Sequence, residues 1–222
     1  MIAYKNQFFE KYQKNVYSQN GEDGVIQELL SRAGVSLPDT WVCEFGAWDG
    51  KNLSNTFDLV VKGANAVYIE SERERFNALL ETVKQYPRIV PVEARVSQDE
   101  ESDLSLDSIL SSTPIDNQNF SVLSIDIDSY DYQIWKTLKK YTPLFVVIEI
   151  NSGIAPTDMT HIHDERHQGT GFGPMLELGK QKGYTFVCHT GNMIFARNDI
   201  FAKLCVDYTH PIENFRRKWL PS

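Results

Sequence analysis

Three residues that follow the first strongly apolar stretch of this chain are of the types that bind a ligand at a turn. Glu44, Gly46 and Gly50 lie in the segment VCEFGAWDGKNLSNT, residues 42–56. Glycines let the backbone turn sharply and approach a ligand closely. The pattern is E-x-G-x-x-x-G, and Trp48 stands where the dinucleotide fingerprint has its second glycine. A bulky tryptophan there would obstruct a pyrophosphate.

The same turn favours a nucleoside without phosphate groups. No Lys-Ser or Lys-Thr pair follows it, so it is not a P-loop, and Glu44 would repel phosphate. Glu70 ends the next apolar stretch, twenty residues after Gly50, where an acid can accept both ribose hydroxyls. Glu93, in a third apolar stretch, is placed to approach the adenine. S-adenosylmethionine fits this set, because it joins ribose and adenine to a sulfonium cation and a zwitterionic amino acid.

A second group of polar residues ends two later apolar stretches. Asp126 and Asp128 lie two apart after one stretch, and Glu149 and Asn151 repeat the spacing after the next. Neighbouring parallel strands would bring the four side chains together. Such a cluster could bind a hydroxyl substrate, remove its proton, or hold Mg²⁺ through oxygen ligands. The simpler alternative is helix capping by Asp128 and Ser129.

A histidine-rich segment, DMTHIHDERHQGTGFG, follows the Glu149 stretch. His161 and His163 have residue types that ligate metal or act as a general base, and Arg166 could bind a substrate carboxylate or phosphate. A solvated polar loop is an equally good interpretation. His189 lies inside a strand pattern and is expected to be a core or edge histidine.

Alternating strand and helix patterns position these residues. Five strands are predicted, each followed by a helix or loop, and then a sixth and seventh joined by a Thr190-Gly191 turn. The predicted strands are TWVCEFGA, NAVYIESE, RIVPVEARV, FSVLSIDID, LFVVIEIN, YTFVCHT and NMIFARN. The predicted helices are Gly24–Arg32, a segment from near Leu53 to Lys62, Arg73–Tyr86, Tyr130–Lys140 and Pro174–Lys182. This order predicts an α/β fold with a mostly parallel sheet, helices on both faces and a C-terminal antiparallel hairpin.

Composition limits the class of partner. The chain has 222 residues, which suits a single domain over 1–222, with residues 1–32 as an N-terminal helical cap. A net charge of -8 argues against nucleic acid as a partner. Three widely spaced cysteines favour buried reduced thiols, and no apolar run reaches the length of a membrane span. We expect a cytoplasmic protein, and N-terminal aromatic residues that pack on the sheet or on a second subunit of a homo-oligomer.

Four stretches together resemble a known family. The E-x-G-x-x-x-G turn with Glu70 resembles the first two motifs of class I S-adenosylmethionine-dependent methyltransferases. YSQNGEDGVIQELL, LDSIL and LSIDIDSYDYQIWKTL resemble, in this order, blocks of the FkbM-type members. In the last block Ser124, Asp128 and Ser129 replace the usual Lys, Glu and Gly of the family. That block also resembles the D-x-D-x-Y segment of metal-dependent sugar O-methyltransferases of the macrocin type.

The resemblance implies a Rossmann-like methyltransferase that O-methylates a hydroxyl of a sugar or secondary metabolite. The donor-binding residues are then Gln19, Glu44, Gly46, Asp49, Gly50, Asn52, Glu70, Ser71, Glu93, Ala94 and Asp126. Asp126, Asp128, Glu149 and His163 are the catalytic candidates, and Mg²⁺ is a possible ligand of Asp126, Asp128 and Glu149. Two alternatives remain: a Mg²⁺-dependent glycosyltransferase that uses the Asp-Ile-Asp segment to grip a nucleotide-sugar, and a non-catalytic nucleoside-binding module.

Overall fold

The structure, a computed structural model, describes residues 11–163 and 168–204. Several sequence predictions fall outside these ranges. They concern residues 1–10 of the proposed helical cap, Arg166 of the histidine-rich segment, and Cys205. Within the described part of the chain, no helix is long and apolar enough to cross a membrane.

Seven strands form one sheet in the order β3-β2-β1-β4-β5-β7-β6. The strands are β1 (Trp41–Phe45), β2 (Asn65–Glu70), β3 (Ile89–Glu93), β4 (Phe120–Ile125), β5 (Phe145–Ile148), β6 (Tyr184–His189) and β7 (Met193–Arg197). Strands β1 to β5 are parallel to one another, and β7 runs antiparallel to both β5 and β6. This arrangement confirms the predicted mostly parallel sheet with a C-terminal antiparallel pair.

Helices cover both faces of the sheet. They are α1 (Glu22–Arg32), α2 (Phe57–Val61), α3 (Arg73–Gln85), α4 (Leu106–Ser111), α5 (Asp131–Thr137), α6 (Phe172–Gln181) and α7 (Asn198–Phe201), with a 3₁₀ helix at Leu37–Asp39. Helix α1 ends at Arg32, and Gly34 follows it with a φ of 70°. The short 3₁₀ helix and α7 were not predicted from the sequence.

The core consists of two apolar layers, one on each face. Strand residues alternate between the layers, so that Val42 packs with α1, α2 and α3, whereas Cys43 packs with α4, α5 and α6. Both layers are apolar because a parallel sheet is covered on both faces. Cys43 and Cys188 are buried and make no disulfide, as expected for reduced structural thiols.

One predicted helix is wrong at its start. A helix from near Leu53 was expected, but α2 begins at Phe57. Leu53 has a left-handed φ of 60°, which a helix cannot contain. The backbone of 54–56 instead wraps around the buried carboxylate of Glu44, as described below.

Candidate functional site

A cavity of about 550 Å³ opens at the carboxyl ends of the central parallel strands. It lies beside the point where the strand order changes direction, between β1 and β4, which is where ligands bind in open α/β sheets. A second cavity of about 750 Å³ adjoins it and shares the lining residues Gly46, Ser71, Glu72 and Ile127. We call these the first and the second cavity.

The fold brings most of the predicted site residues to these cavities. The first cavity is lined by Gln19, Glu44, Gly46, Asn52, Glu70, Ser71, Asp126, Asp128 and Glu149. Ala94 lines the second cavity, together with Gly46 and Ser71. Asp49, Gly50, Glu93 and His163 line neither.

Gly46, which follows β1, packs closely against the backbone that follows β4. Its φ is 77°, and a Cβ atom added there would lie 2.1 Å from the carbonyl oxygen of Asp126. Its amide donates to the carbonyl of Ile69 at 3.1 Å, which fixes the turn to β2 as well. Only glycine satisfies both the left-handed backbone and the contact. The floor of the first cavity is therefore bare backbone at this position.

Glu44 lines the first cavity, but its carboxylate is already bonded within the protein. It accepts hydrogen bonds from the hydroxyls of Ser54 and Thr56, at 2.8 and 2.5 Å. The backbone amides of Asn55 and Thr56 also donate to it, at 3.2 and 3.1 Å. Burial raises the pKa of Glu44, and these bonds oppose the rise. Its observed contacts shape the loop before α2.

Glu70 fixes the turn that follows β1. One carboxylate oxygen accepts from the amide of Trp48 at 2.8 Å, and the other accepts from Ser71 and Glu72 at 2.7 and 2.8 Å. Two carboxylate oxygens offer about four acceptor positions, so capacity remains for a ligand hydroxyl. Trp48 is 41% exposed, and the guanidinium of Arg75 lies 5.3 Å from its ring centre. Trp48 and Arg75, both missed by the sequence reasoning as binding residues, line the first cavity.

Two predicted donor-binding acids have other partners. Asp49 accepts from the amides of Lys51 and Asn52 at 2.9 and 2.8 Å and closes the turn locally. Glu93 is exposed and forms an ion pair of 2.7 Å with Arg73. Because Glu93 is the strand partner of Glu70, the two acids end adjacent strands, yet only Glu70 lines the first cavity.

Asp126, Asp128 and Glu149 meet on the opposite side of the Gly46 turn. The amide of Glu149 donates to the carbonyl of Ile125 at 3.0 Å, which places the ends of β4 and β5 side by side. Burial, and then repulsion from neighbouring acids, raises the pKa of Asp126 to about 8. The same causes raise the pKa of Glu149 to about 10.

Among the residues that the structure describes, no side chain caps α5, so the helix-capping role considered for Asp128 and Ser129 is wrong, and Asp131 instead fixes the loop that precedes the helix. The carboxylate of Asp131 accepts from the amides of Ile127 and Ser129, both at 3.0 Å. Burial raises the pKa of Asp131 to about 6. Asp128 is exposed and has a left-handed φ of 58°. The non-glycine residues with such a φ within 11–163 and 168–204 are Trp48, Leu53 and Asp128, and all of them line the first cavity. Strained backbone of this kind concentrates at functional sites.

The predicted metal site is not supported. Across residues 11–163 and 168–204, no three His, Cys, Asp or Glu side chains are grouped in a way that could hold a metal ion. Asn151, expected near Glu149, instead stabilises its own loop. Its amide donates to the carbonyl of Gln168 at 2.7 Å and accepts from the amide of Gly153 at 3.0 Å.

The described histidines of the loop have structural contacts. Nδ1 of His163 accepts from the amide of Gly169 at 2.9 Å, and its ring packs edge-on against Tyr130 at 4.6 Å. A nitrogen that already accepts a backbone bond must give up that bond to take a proton, which disfavours His163 as a general base. His189 is 2% exposed and packs against Phe172, as expected for a core histidine.

The start of α1 lies against the turn between β6 and β7. Glu22 accepts from the hydroxyl of Thr190 at 2.7 Å and from the amide of Gly191 at 3.2 Å. Gln19 and Glu22 line the first cavity. Asn192 also lines it and was missed. The available signal was the predicted antiparallel hairpin, which returns the start of β7 to the carboxyl edge of the sheet.

No protein-family model and no curated protein matches the chain. Solved structures do resemble it. A proposed caffeoyl-CoA O-methyltransferase from Staphylococcus aureus aligns with a TM-score of 0.50 and 12% identity, over 86% of this chain and 88% of that one. A SAM-dependent methyltransferase from Aquifex aeolicus aligns with a TM-score of 0.45 and 12% identity, over 86% of this chain and 96% of that one. TrmK of M. capricolum, solved with S-adenosyl-homocysteine, aligns with a TM-score of 0.46 and 13% identity, over 77% of this chain and 67% of that one.

The likeness to the first of these structures concerns the fold alone, because the identity is low. The sheet and its flanking helices have a Rossmann-like arrangement, which that structure shares.

Proposed function

We propose that this protein transfers a methyl group from S-adenosylmethionine to a hydroxyl oxygen of a small acceptor, such as a sugar or a secondary metabolite. The resemblance to FkbM-type methyltransferases and the fold both support this reaction. The observation that carries the proposal is the first cavity, which has Glu70 on one side of the Gly46 turn and the Asp126, Asp128 and Glu149 cluster on the other. A nucleoside donor and a hydroxylated acceptor would then meet over the turn.

The two cavities match the parts of the donor. Glu70 stands at the end of β2, where the remaining acceptor capacity of its carboxylate suits ribose hydroxyls. The second cavity is lined by Ile69, Ala94 and Ile127, whose apolar atoms suit the adenine ring. Asp126, on the far side of Gly46, suits the ammonium group of the amino acid end. The bare backbone of Gly46 lets the donor lie close to the sheet edge.

The chemistry needs alignment and a proton acceptor. When bound, the donor supplies a methyl group on a positive sulfur; the acceptor oxygen bonds to that carbon while the carbon–sulfur pair stays on sulfur. The hydroxyl proton passes to a carboxylate of the cluster. Burial and neighbouring acids raise the pKa of Glu149 to about 10, so its carboxyl is protonated near neutral pH. Burial and neighbouring acids raise the pKa of Asp126 to about 8, so an ammonium group beside it would favour its ionised form. Holding both reactants in line lowers the entropic part of the barrier.

The donor site is tested by calorimetric titration of the protein with S-adenosylhomocysteine, with and without Mg²⁺, beside a nucleotide-sugar. We expect binding of S-adenosylhomocysteine that Mg²⁺ does not alter. Glu70→Ala should weaken it roughly a hundredfold, because two charge-assisted hydrogen bonds contribute about 3 kcal/mol. Glu93→Ala is the matched variant, since Glu93 is the strand partner of Glu70 and lines neither cavity.

Three results of these titrations and of activity assays would contradict the proposal. No affinity for S-adenosylhomocysteine, together with Mg²⁺-dependent binding of the nucleotide-sugar, would favour the glycosyltransferase alternative. Equal losses in Glu70→Ala and Glu93→Ala would mean that the donor does not occupy the first cavity. Binding without turnover over a broad set of hydroxylated acceptors would favour the non-catalytic module.

A further inference from the structure

Trp48 is an exposed aromatic residue that the protein holds in place at the first cavity. It is 41% exposed and lines that cavity. Its backbone amide donates to the carboxylate of Glu70 at 2.8 Å. The guanidinium of Arg75, which pairs with Glu72 at 3.1 Å, lies over the ring at 5.3 Å from its centre, within the range of a cation–π contact. The indole is therefore anchored on one face and still presents exposed surface.

The backbone at Trp48 is poorly suited to a bulky residue. Its φ is 50°, in the left-handed region that glycine and asparagine adopt more readily than tryptophan. Strain of this kind concentrates where the local structure serves a ligand. The stability of the turn therefore does not account for a tryptophan at this position, whereas contact with a ligand does.

Trp48 is placed to meet the acceptor and not the adenine of the donor. The proposed function places the adenine in the second cavity, and neither Trp48 nor Leu53 lines that cavity. Leu53 lines the first cavity, is 48% exposed and has a left-handed φ of 60°. An acceptor that enters the first cavity thus meets two exposed apolar side chains from the loop that follows β1.

The other walls of the first cavity are polar. Apart from Trp48, Leu53 and Ile127, its lining side chains carry carboxyl, amide, hydroxyl or guanidinium groups. The residues with amide side chains are Gln19, Asn20, Asn52, Asn55 and Asn192. A flat aromatic acceptor on the indole would bury its second face against these polar groups, which costs free energy. A pyranose ring has an apolar face of C–H groups and an edge of hydroxyls, and this matches one exposed indole opposite polar walls.

We infer that Trp48 selects the acceptor, which carries a pyranose ring whose C–H face stacks on the Trp48 indole while its hydroxyls bond to the polar walls. The inference rests on the proposed function, because it concerns the acceptor of that methyl transfer. The C–H groups of a ring that bears hydroxyls carry partial positive charge, and the face of an aromatic ring is negative. A ring stacked in this way keeps its hydroxyls at the edge, where one of them can reach the methyl group.

The experiment measures binding by calorimetry with S-adenosylhomocysteine present at saturation. The probes are the methyl β-pyranosides of glucose, galactose and mannose, each beside the open-chain alditol of the same sugar, and catechol as a flat aromatic probe. At least one pyranoside should bind about tenfold more tightly than its alditol and than catechol, because only the pyranoside combines a preformed apolar face with an edge of hydroxyls.

Substitutions at Trp48 separate recognition from a structural role. Trp48→Asn suits the left-handed backbone, so it should not lower the midpoint of thermal unfolding, yet it should weaken the pyranoside about tenfold and leave the alditol unchanged. Trp48→Phe keeps a smaller ring and should weaken the pyranoside only about threefold. Leu80→Asn is the matched control, since Leu80 is 36% exposed and lines neither cavity, and it should change no affinity. All three variants should retain the affinity for S-adenosylhomocysteine.

The outcomes distinguish this inference from the proposed function. If S-adenosylhomocysteine does not bind the unaltered protein, the proposed function fails and this inference fails with it. If it binds, the methyl transfer stands, and the inference is overturned when no pyranoside exceeds its alditol, when catechol binds more tightly than every pyranoside, or when Trp48→Asn keeps the preference. Equal losses of S-adenosylhomocysteine and pyranoside in Trp48→Asn also overturn it, because the ring then serves the donor or the turn.

Discussion

Replacing Gly46 with alanine tests the close approach of β1 and β4 on which the cavity depends. The new Cβ would lie 2.1 Å from the carbonyl oxygen of Asp126, far inside van der Waals contact, and the backbone would keep a φ of 77°. A non-glycine residue in the left-handed region costs about 1–2 kcal/mol. Overpacking against backbone that cannot rotate away adds about 1–3 kcal/mol. Gly46→Ala should therefore destabilise the protein by about 2–5 kcal/mol in total.

Gly34→Ala isolates the steric part of this cost. Gly34 has a similar φ of 70°, but an added Cβ there would meet nothing within 4 Å. Both alanines restrict the unfolded chain equally, so that contribution cancels in the comparison. A difference of about 2 kcal/mol corresponds to roughly 6 °C in the midpoint of thermal unfolding for a chain of this size.

The assays are thermal and urea unfolding of both variants, followed by titration with S-adenosylhomocysteine. Gly46→Ala should also weaken the donor, because relief of the clash must move the backbone of Gly46 or Asp126, and both line the first cavity. Gly34→Ala should bind as the unaltered protein does. Equal unfolding midpoints for the two variants would refute the contact between β1 and β4.

Two further predictions concern buried charges. The carboxylate of Asp23 accepts hydrogen bonds from the amides of residues 16–18 at 2.8–2.9 Å. Asp23→Ala should therefore remove the protection of these amides from hydrogen exchange, whereas Ser18→Ala should keep most of it. Equal protection of these amides in both variants would contradict this prediction. Burial lowers the pKa of Lys182, which donates to Leu138, to about 8. The unfolded chain keeps the Lys182 proton to higher pH than the folded protein does. Between about pH 8 and 10, the free energy of unfolding of the unaltered protein should therefore rise relative to that of Lys182→Met, as measured by urea unfolding. A difference in unfolding free energy between the two proteins that stays constant with pH would contradict the lowered pKa of Lys182.

Much of the fold was predictable because its signals are local. Each parallel strand is an apolar run of four to six residues bounded by polar turns, and the alternation within it assigns side chains to the two faces. The start of α2 was missed for a reason that is not local. Glu44, ten residues before Ser54, draws the hydroxyls and amides of 54–56 into hydrogen bonds and holds them out of a helix.

At the strand ends, too, the sequence predicted some of the site residues and the tertiary structure decided others. Glu70, Asp126 and Glu149 were predictable as cavity residues, because an acid after a parallel strand stands at the ligand-binding edge. Glu93 obeys the same rule but pairs with Arg73, since β3 lies at the outer edge of the sheet, away from the change in strand order. The sequence pattern does not distinguish a central strand from an edge strand.

The sequence by itself determined the seven strands, most of the helices, the faces they bury, and which acids follow the strands. These properties depend on residues within a few positions of one another. Only the tertiary structure decided that Asn192 stands beside Glu149 and that Glu22 holds the turn before β7. Those contacts join residues tens to more than a hundred positions apart, and they exist only because β7 inserts antiparallel between β5 and β6. The end of the cavity that Glu149 and Asn192 line is a product of that strand order.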